Sequence, residues 1–218
     1  MIRLEVCAFV AILTPLAICQ VDLGSHKNAP ALPFYDWRAC PFEGCVYRQW
    51  TARSRVIVYN TWKQDRQPIA KLSSGDSVLG LRGVVITFRP GMIRLDRDLP
   101  EHNLKRGETI LTYAYRGEGY SAVWFKGQYY SDFNISFTKW PDGQGCRGEG
   151  CAATYVDLGQ KAWWAEVKLK SGLHGWVNMD ALPFDGVDLL GGLNHSYDCV
   201  GPQLEPARRY VSYLRSPR

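Results

Sequence analysis

The sequence predicts an all-β protein made of two small barrel-like modules, on three observations. Aromatic residues make up 13% of the chain, with eight Trp and twelve Tyr. Glycine (21 residues) and proline (12 residues) punctuate it at short intervals. Between these breaks the apolar residues come in short β-branched or alternating runs. No stretch sustains the three-and-four spacing of an amphipathic helix. A length of 218 residues with 46% hydrophobic content suits one large domain or two small ones with packed cores. The formal charge of +5 is scattered. Nucleic-acid binding needs a clustered cationic face, so that function class is set aside.

Residues 1–19 read as a signal peptide. Arg3 gives a weak positive start, an apolar run follows, and Pro15 precedes the small residues Ala17 and Cys19. The run is too short to anchor stably in a bilayer, and no later segment is apolar enough to span one. The expected location is secreted or periplasmic. Leu16-Ala17-Ile18-Cys19 also resembles a lipoprotein lipobox, which implies a lipid anchor at Cys19; Ile18 departs from that pattern. Residues 20–36, with Pro30 and Pro33, are expected to be a surface linker.

Export favours disulfides over metal or redox chemistry for the cysteines. Cys40 and Cys45 bracket one short loop, Cys146 and Cys151 another, and both read Cys-x-x-Glu-Gly-Cys. Gly44 and Gly150 ease the turn that brings each pair within bridging range. Two disulfide-closed loops are expected rather than a four-thiolate zinc site. The histidines His26, His102, His174 and His195 lack metal spacing, and no cofactor is expected.

Strands are expected at residues 55–59, 68–72, 77–81, 84–87 and 92–95. Others are expected at 109–115, 120–125, 128–130, 162–169 and 173–177, with a loop-rich stretch at 131–160. Residues 72–79 align without gaps with residues 104–111. Both read Leu, two polar residues, Gly, an acid, a hydroxyl residue, a β-branched residue and Leu, which suggests an internal duplication.

The hairpin ending Gly175-Trp176-Val177, the two Leu-x-x-Gly-acid openings, and Gly117-Glu118-Gly119-Tyr120 with Val123-Trp124 together resemble bacterial SH3-like (SH3b) domains. The resemblance spans residues 46–184. It implies two SH3-like barrels in tandem: a first module at 37–98 and a second at 99–184, followed by a loosely structured tail at 185–218. The first lacks a Gly-Trp-Val ending. The resemblance also implies an exported, non-catalytic binding protein of the cell envelope. Its partner would be a peptide, a peptidoglycan fragment or an envelope protein.

The candidate ligand groove is aromatic: Tyr120, Trp124, Tyr129, Trp164 and Trp176, with Glu118 available to a cationic ligand group. Trp164 is the favoured surface residue, because strand alternation puts it on one face with Glu166 and Lys168. Tyr197-Asp198-Cys199 resembles the nucleophile motif of cell-wall cysteine endopeptidases, which makes a hydrolase the rival reading. No His follows Cys199, however, so no catalytic residue is assigned. A purely structural assembly role is the third reading.

Overall fold

The computed structural model describes residues 28–141 and 145–189. The signal peptide, Cys19, Cys199 and the tail beyond residue 189 lie outside the described residues. The strands are β1 (Phe34–Trp37), β2 (Gln49–Ala52), β3 (Val56–Tyr59), β4 (Pro68–Leu72), β5 (Ser77–Arg89), β6 (Gly91–Leu95) and β7 (Thr109–Gly117). They continue as β8 (Tyr120–Phe125), β9 (Gln128–Asn134), β10 (Thr138–Lys139), β11 (Ala153–Asp157), β12 (Gln160–Leu169), β13 (His174–Asn178) and β14 (Phe184–Asp185). One curled sheet has the order β14-β2-β5-β12-β13-β3-β4, with β1 also on β5; the other runs β10-β11-β6-β7-β8-β9.

The all-β class with two barrel-like sheets agrees with the sequence. The division of the chain differs from the expected boundary at residue 98. The first sheet takes strands from 34–89 and again from 160–185, while the second holds everything from 91 to 157. The second unit is therefore nested in the first. It is inserted at the tip of the β5–β12 hairpin, where Arg89 and Gln160 are cross-strand partners. Local patterning identifies strands but not their partners, so a hairpin interrupted by a whole unit reads as two consecutive modules. At the crossing the two connecting segments run side by side. Gly159 (φ +76°) leaves no room there: a Cβ would lie 2.6 Å from the Gly91 amide nitrogen.

Nesting also explains the ending that the first module seemed to lack. Gly175-Trp176-Val177 lies on β13 of the first sheet, where Trp176 pairs with Tyr59 of β3. A Cβ on Gly175 would approach the Tyr59 carbonyl oxygen to 2.8 Å, so only glycine lets the two backbones come together there.

The duplicated octads form the same local structure twice. Leu72 and Leu104 are both buried. Gly75 (φ +89°) and Gly107 (φ +86°) both take the left-handed conformation. The acid closes each turn in the same way. Asp76 Oδ2 accepts the Ser73 N–H at 2.7 Å, and Glu108 Oε2 accepts the Lys105 N–H at 2.8 Å. Each glycine then donates its N–H to a carbonyl at the end of a neighbouring strand, Ala52 or Leu95, at 2.8 Å.

Each sheet encloses its own core. Trp50, Val58, Val85, Trp163, Val167, Met179 and Phe184 fill the first; Ile93, Leu95, Leu104, Ile110, Val123 and Ile135 fill the second. Both expected disulfides are present, Cys40–Cys45 and Cys146–Cys151, with Cα separations of 5.5 and 5.4 Å.

Two segments expected to be loose are ordered parts of the fold. The last residues of the 20–36 linker form most of β1, and Phe34 packs edge-on against Tyr113 of the second unit at 5.2 Å. The start of the tail completes β14 with Asp185 and buries Val187 in the first core. Short apolar strands at chain margins carry too few residues for periodicity to register them.

Candidate functional site

The outer face of the first sheet carries an aromatic surface that alternation along β1 creates. Asp36 turns inward, so Tyr35 and Trp37 turn outward. Cross-strand partners share a face. Tyr35 therefore lies in a row with Ile86 and Ala162, and Trp37 in a row with Val84 and Trp164. Trp62, from the β3–β4 loop, closes a triangle of rings. Its centroid is 5.3 Å from Tyr35 and 5.9 Å from Trp37, and Tyr35 and Trp37 stack at 6.5 Å. Trp37 is 51% exposed, Phe88 45% and Tyr35 40%. Monomeric proteins seldom leave such a cluster open to water without a use for it.

Two of these rings continue into a cleft of about 910 Å³ between the β3–β4 loop, β5 and the start of β12. Tyr35, Trp62, Phe88 and Leu158 give it an apolar wall. Charge gathers on the other side. Arg89 is paired with Asp157. The guanidinium of Arg66 lies over the rings of Trp164 (5.0 Å) and Tyr59 (5.4 Å), a cation–π arrangement that holds it without a carboxylate. Asp180 accepts the Trp163 N–H at 2.8 Å and an Asn178 side-chain N–H at 3.0 Å; burial nonetheless pushes its carboxyl pKa up. Lys161, the partner of Thr87, stands on the opposite face of the sheet from Tyr35, Ile86 and Ala162, and burial draws its ammonium down to about 8. No hydrogen bond or ion pair reaches the Lys161 side chain among the described residues.

The residues nominated from sequence do not form one groove. Tyr120, Trp124, Tyr129 and Glu118 belong to the second unit, Trp164 and Trp176 to the first. Tyr120 and Tyr129 are each 37% exposed. Trp124 is buried beneath the N-terminal segment, where its Nε1–H donates to the Asn28 carbonyl at 3.2 Å. Glu118 sits in the β7–β8 turn, and its backbone N–H donates to Glu43 at 2.8 Å. Trp164 does share the outer face with Glu166, yet only 6% of it is exposed. Arg66, Tyr59 and Trp62 cover it, a roof supplied by a loop that strand alternation cannot reveal. Trp176 is half-buried in the same cluster.

Tyr35, Trp37 and Trp62 are the functional candidates that sequence reading missed. The available signal was the i, i+2 spacing of Tyr35 and Trp37 around an acid, the pattern of a half-buried strand, hidden by a flanking proline-rich stretch. Among the described residues no cluster of His, Cys, Asp or Glu could hold a metal ion. No helix among them is long and apolar enough to cross a membrane. Comparison of the chain with protein-family models, curated proteins and solved structures gives no match.

Proposed function

We propose that this protein is a non-catalytic, exported binding module of the bacterial cell envelope that holds a peptidoglycan fragment in the aromatic cleft. The observation that carries this reading is the Tyr35–Trp37–Trp62 triangle, in which Tyr35 and Trp37 are exposed, Trp62 is half-buried, and all three are already ordered by ring–ring contacts at the mouth of the cleft. Flat rings held in place offer apolar area to a sugar or peptide face at little further entropic cost. A site of this kind, mostly apolar with a few polar groups to orient the guest, is the usual form of a small-ligand pocket. The two disulfides fit an oxidising compartment outside the cytoplasmic membrane.

Titration of the full-length mature protein with soluble muropeptides, followed by tryptophan fluorescence and calorimetry, tests the reading. Trp62→Ala and Trp37→Ala should each weaken binding at least about tenfold, equivalent to about 1.4 kcal/mol. Trp176→Ala should weaken it less, because that ring is packed into the sheet face. Unchanged affinity in both Trp62→Ala and Trp37→Ala would remove the triangle from the binding site.

A further inference from the structure

We propose that Arg66 is the group that orients the guest in the cleft, its guanidinium taking a carboxylate of the guest in a forked pair while the guest's apolar part rests on Tyr35 and Trp62. This rests on the cleft being the ligand site and adds which chemical group of a muropeptide that site reads.

Strand register settles which side chains share the cleft face. Tyr35, Ile86 and Ala162 stand in one cross-strand row, and Trp37, Val84, Trp164 and Asn178 in the next. Arg66 comes onto this same face from the β3–β4 loop. Its guanidinium carbon lies 5.0 Å from the centroid of the Trp164 ring and 5.4 Å from that of Tyr59. Arg66 and Trp164 both line the cleft, so a fixed positive charge stands over a ring of its wall.

The loop holds that charge in place before any guest arrives. At the base of the loop the Asn60 N–H donates to the Gln67 carbonyl at 3.0 Å, and the Gln67 N–H donates to the Asn60 side chain at 2.8 Å. Inside it, Nη1 of Arg66 donates to the Lys63 carbonyl at 3.2 Å. With two rings beneath it, the side chain is already restricted, and a guest has less ordering to impose on it.

These contacts leave the other N–H groups of the guanidinium unused. Among the described residues they meet no acceptor, and no carboxylate lies within ion-pair distance of Arg66. The acids of the cleft are engaged elsewhere. Asp157 pairs with Arg89, and Asp180 accepts from Trp163 and Asn178. Arg66 is exposed, so water solvates its free N–H groups and the charge costs the fold little. What distinguishes it from an ordinary surface arginine is its position, clamped beside an apolar wall that suits a ligand. The planar fork of a guanidinium matches the two oxygens of a carboxylate, which gives direction as well as attraction.

The experiment compares two probes of the same shape on the full mature chain. Muramyl dipeptide carries a free carboxylate, and its carboxamide carries none. The acid should bind about tenfold more tightly than the amide, the size expected for a hydrogen bond to a charged group. The readout is the ratio of the two affinities, which a general loss of folded protein does not change. Arg66→Met, which keeps an apolar stem on the Trp164 ring, should bring that ratio to about one. Arg66→Lys keeps the charge without the planar fork and should retain only part of the preference. Lys170→Met, on the exposed β12–β13 turn, removes the same net charge and should leave the ratio as it is in the parent. Equal affinities for acid and amide in the parent, a preference that survives Arg66→Met, or an equal loss in Lys170→Met overturns this inference and leaves the proposed binding function standing. Binding of neither probe overturns both.

Discussion

A chain ended at residue 98 should show no cooperative unfolding transition by heat or urea. A chain in which residues 91–158 are replaced by a short Gly-Ser turn should retain one. The reason is the nested connectivity. Among the described residues the first core has fifteen buried residues, and seven of them (Trp163, Ala165, Val167, Val177, Met179, Phe184 and Val187) lie after the inserted unit. Cutting at 98 removes all seven, together with the strand β12 that pairs with β5 over most of its length. Deleting one large core side chain costs about 2–5 kcal/mol, and whole domains are stable by only about 5–15 kcal/mol. Summed over the seven, the loss is larger than the total. Excision of the insert, by contrast, rejoins Arg89 to the Gln160 region across an existing cross-strand pair, so a hairpin turn closes a complete sheet. Cost enters at the surfaces the second unit covered, mainly Phe34 and Asp36. Urea melts followed by tryptophan fluorescence decide the matter. A cooperative transition in the 98-residue chain would mean that residues 34–89 form a core without β12–β14.

This result bears on what could be read from residues alone. Strand positions were legible where side-chain chemistry is local. Pro68–Leu72 and Tyr120–Phe125 are bounded by turn formers, and their observed limits match the expected ones. The repeated octad was legible too, because a glycine at positive φ and an acid closing the turn are local requirements. Residues 77–81 and 84–87 were expected as separate strands. They are one long strand, β5, in which Gly80 lies under the ring of Trp50; a Cβ there would come within 2.6 Å of it. Gly83, which stands in the gap between the two expected runs, is a packing contact as well: a Cβ there would come within 2.6 Å of the Trp163 indole nitrogen. Pairing across the insert was not legible, because partners distant in sequence carry no shared local mark. The candidate aromatic surface was missed for the same kind of reason. Trp164 occupies an outward position and is covered by Arg66, Tyr59 and Trp62, whereas Trp37 occupies an outward position and stays 51% exposed beside Trp62. Alternation tells which face a ring is on, and only tertiary structure tells whether that face is covered.

The junction between the two units should be the next most sensitive place, and Asp36→Ala should destabilise the full chain by roughly 2–3 kcal/mol. Asp36 is 6% exposed, and Nη1 of Arg116 donates to both of its oxygens at 2.6 Å. Removing one member of a fully buried pair costs about 3–5 kcal/mol. The side chain of Arg116 keeps 30% of its exposure, so water recovers part of that here. Asp36→Asn, which keeps an acceptor, should cost less than Asp36→Ala. Asp36→Ala combined with Arg116→Met should cost less than the sum of the two single changes, since neither charge is then stranded. The consequence reaches function because Asp36 lies between Tyr35 and Trp37 on β1. Its inward anchor is what fixes those two rings outward at the cleft mouth, so Asp36→Ala should also weaken muropeptide binding without touching the ligand. Glu43 offers an internal comparison. It ties the Cys40–Cys45 loop to the second unit by accepting from the Tyr115 hydroxyl at 3.1 Å and the Glu118 N–H at 2.8 Å, away from β1. Glu43→Ala should therefore lower stability and leave affinity intact. Equal effects of the two substitutions on binding would show that the rings depend on the junction as a whole rather than on the single carboxylate beneath them.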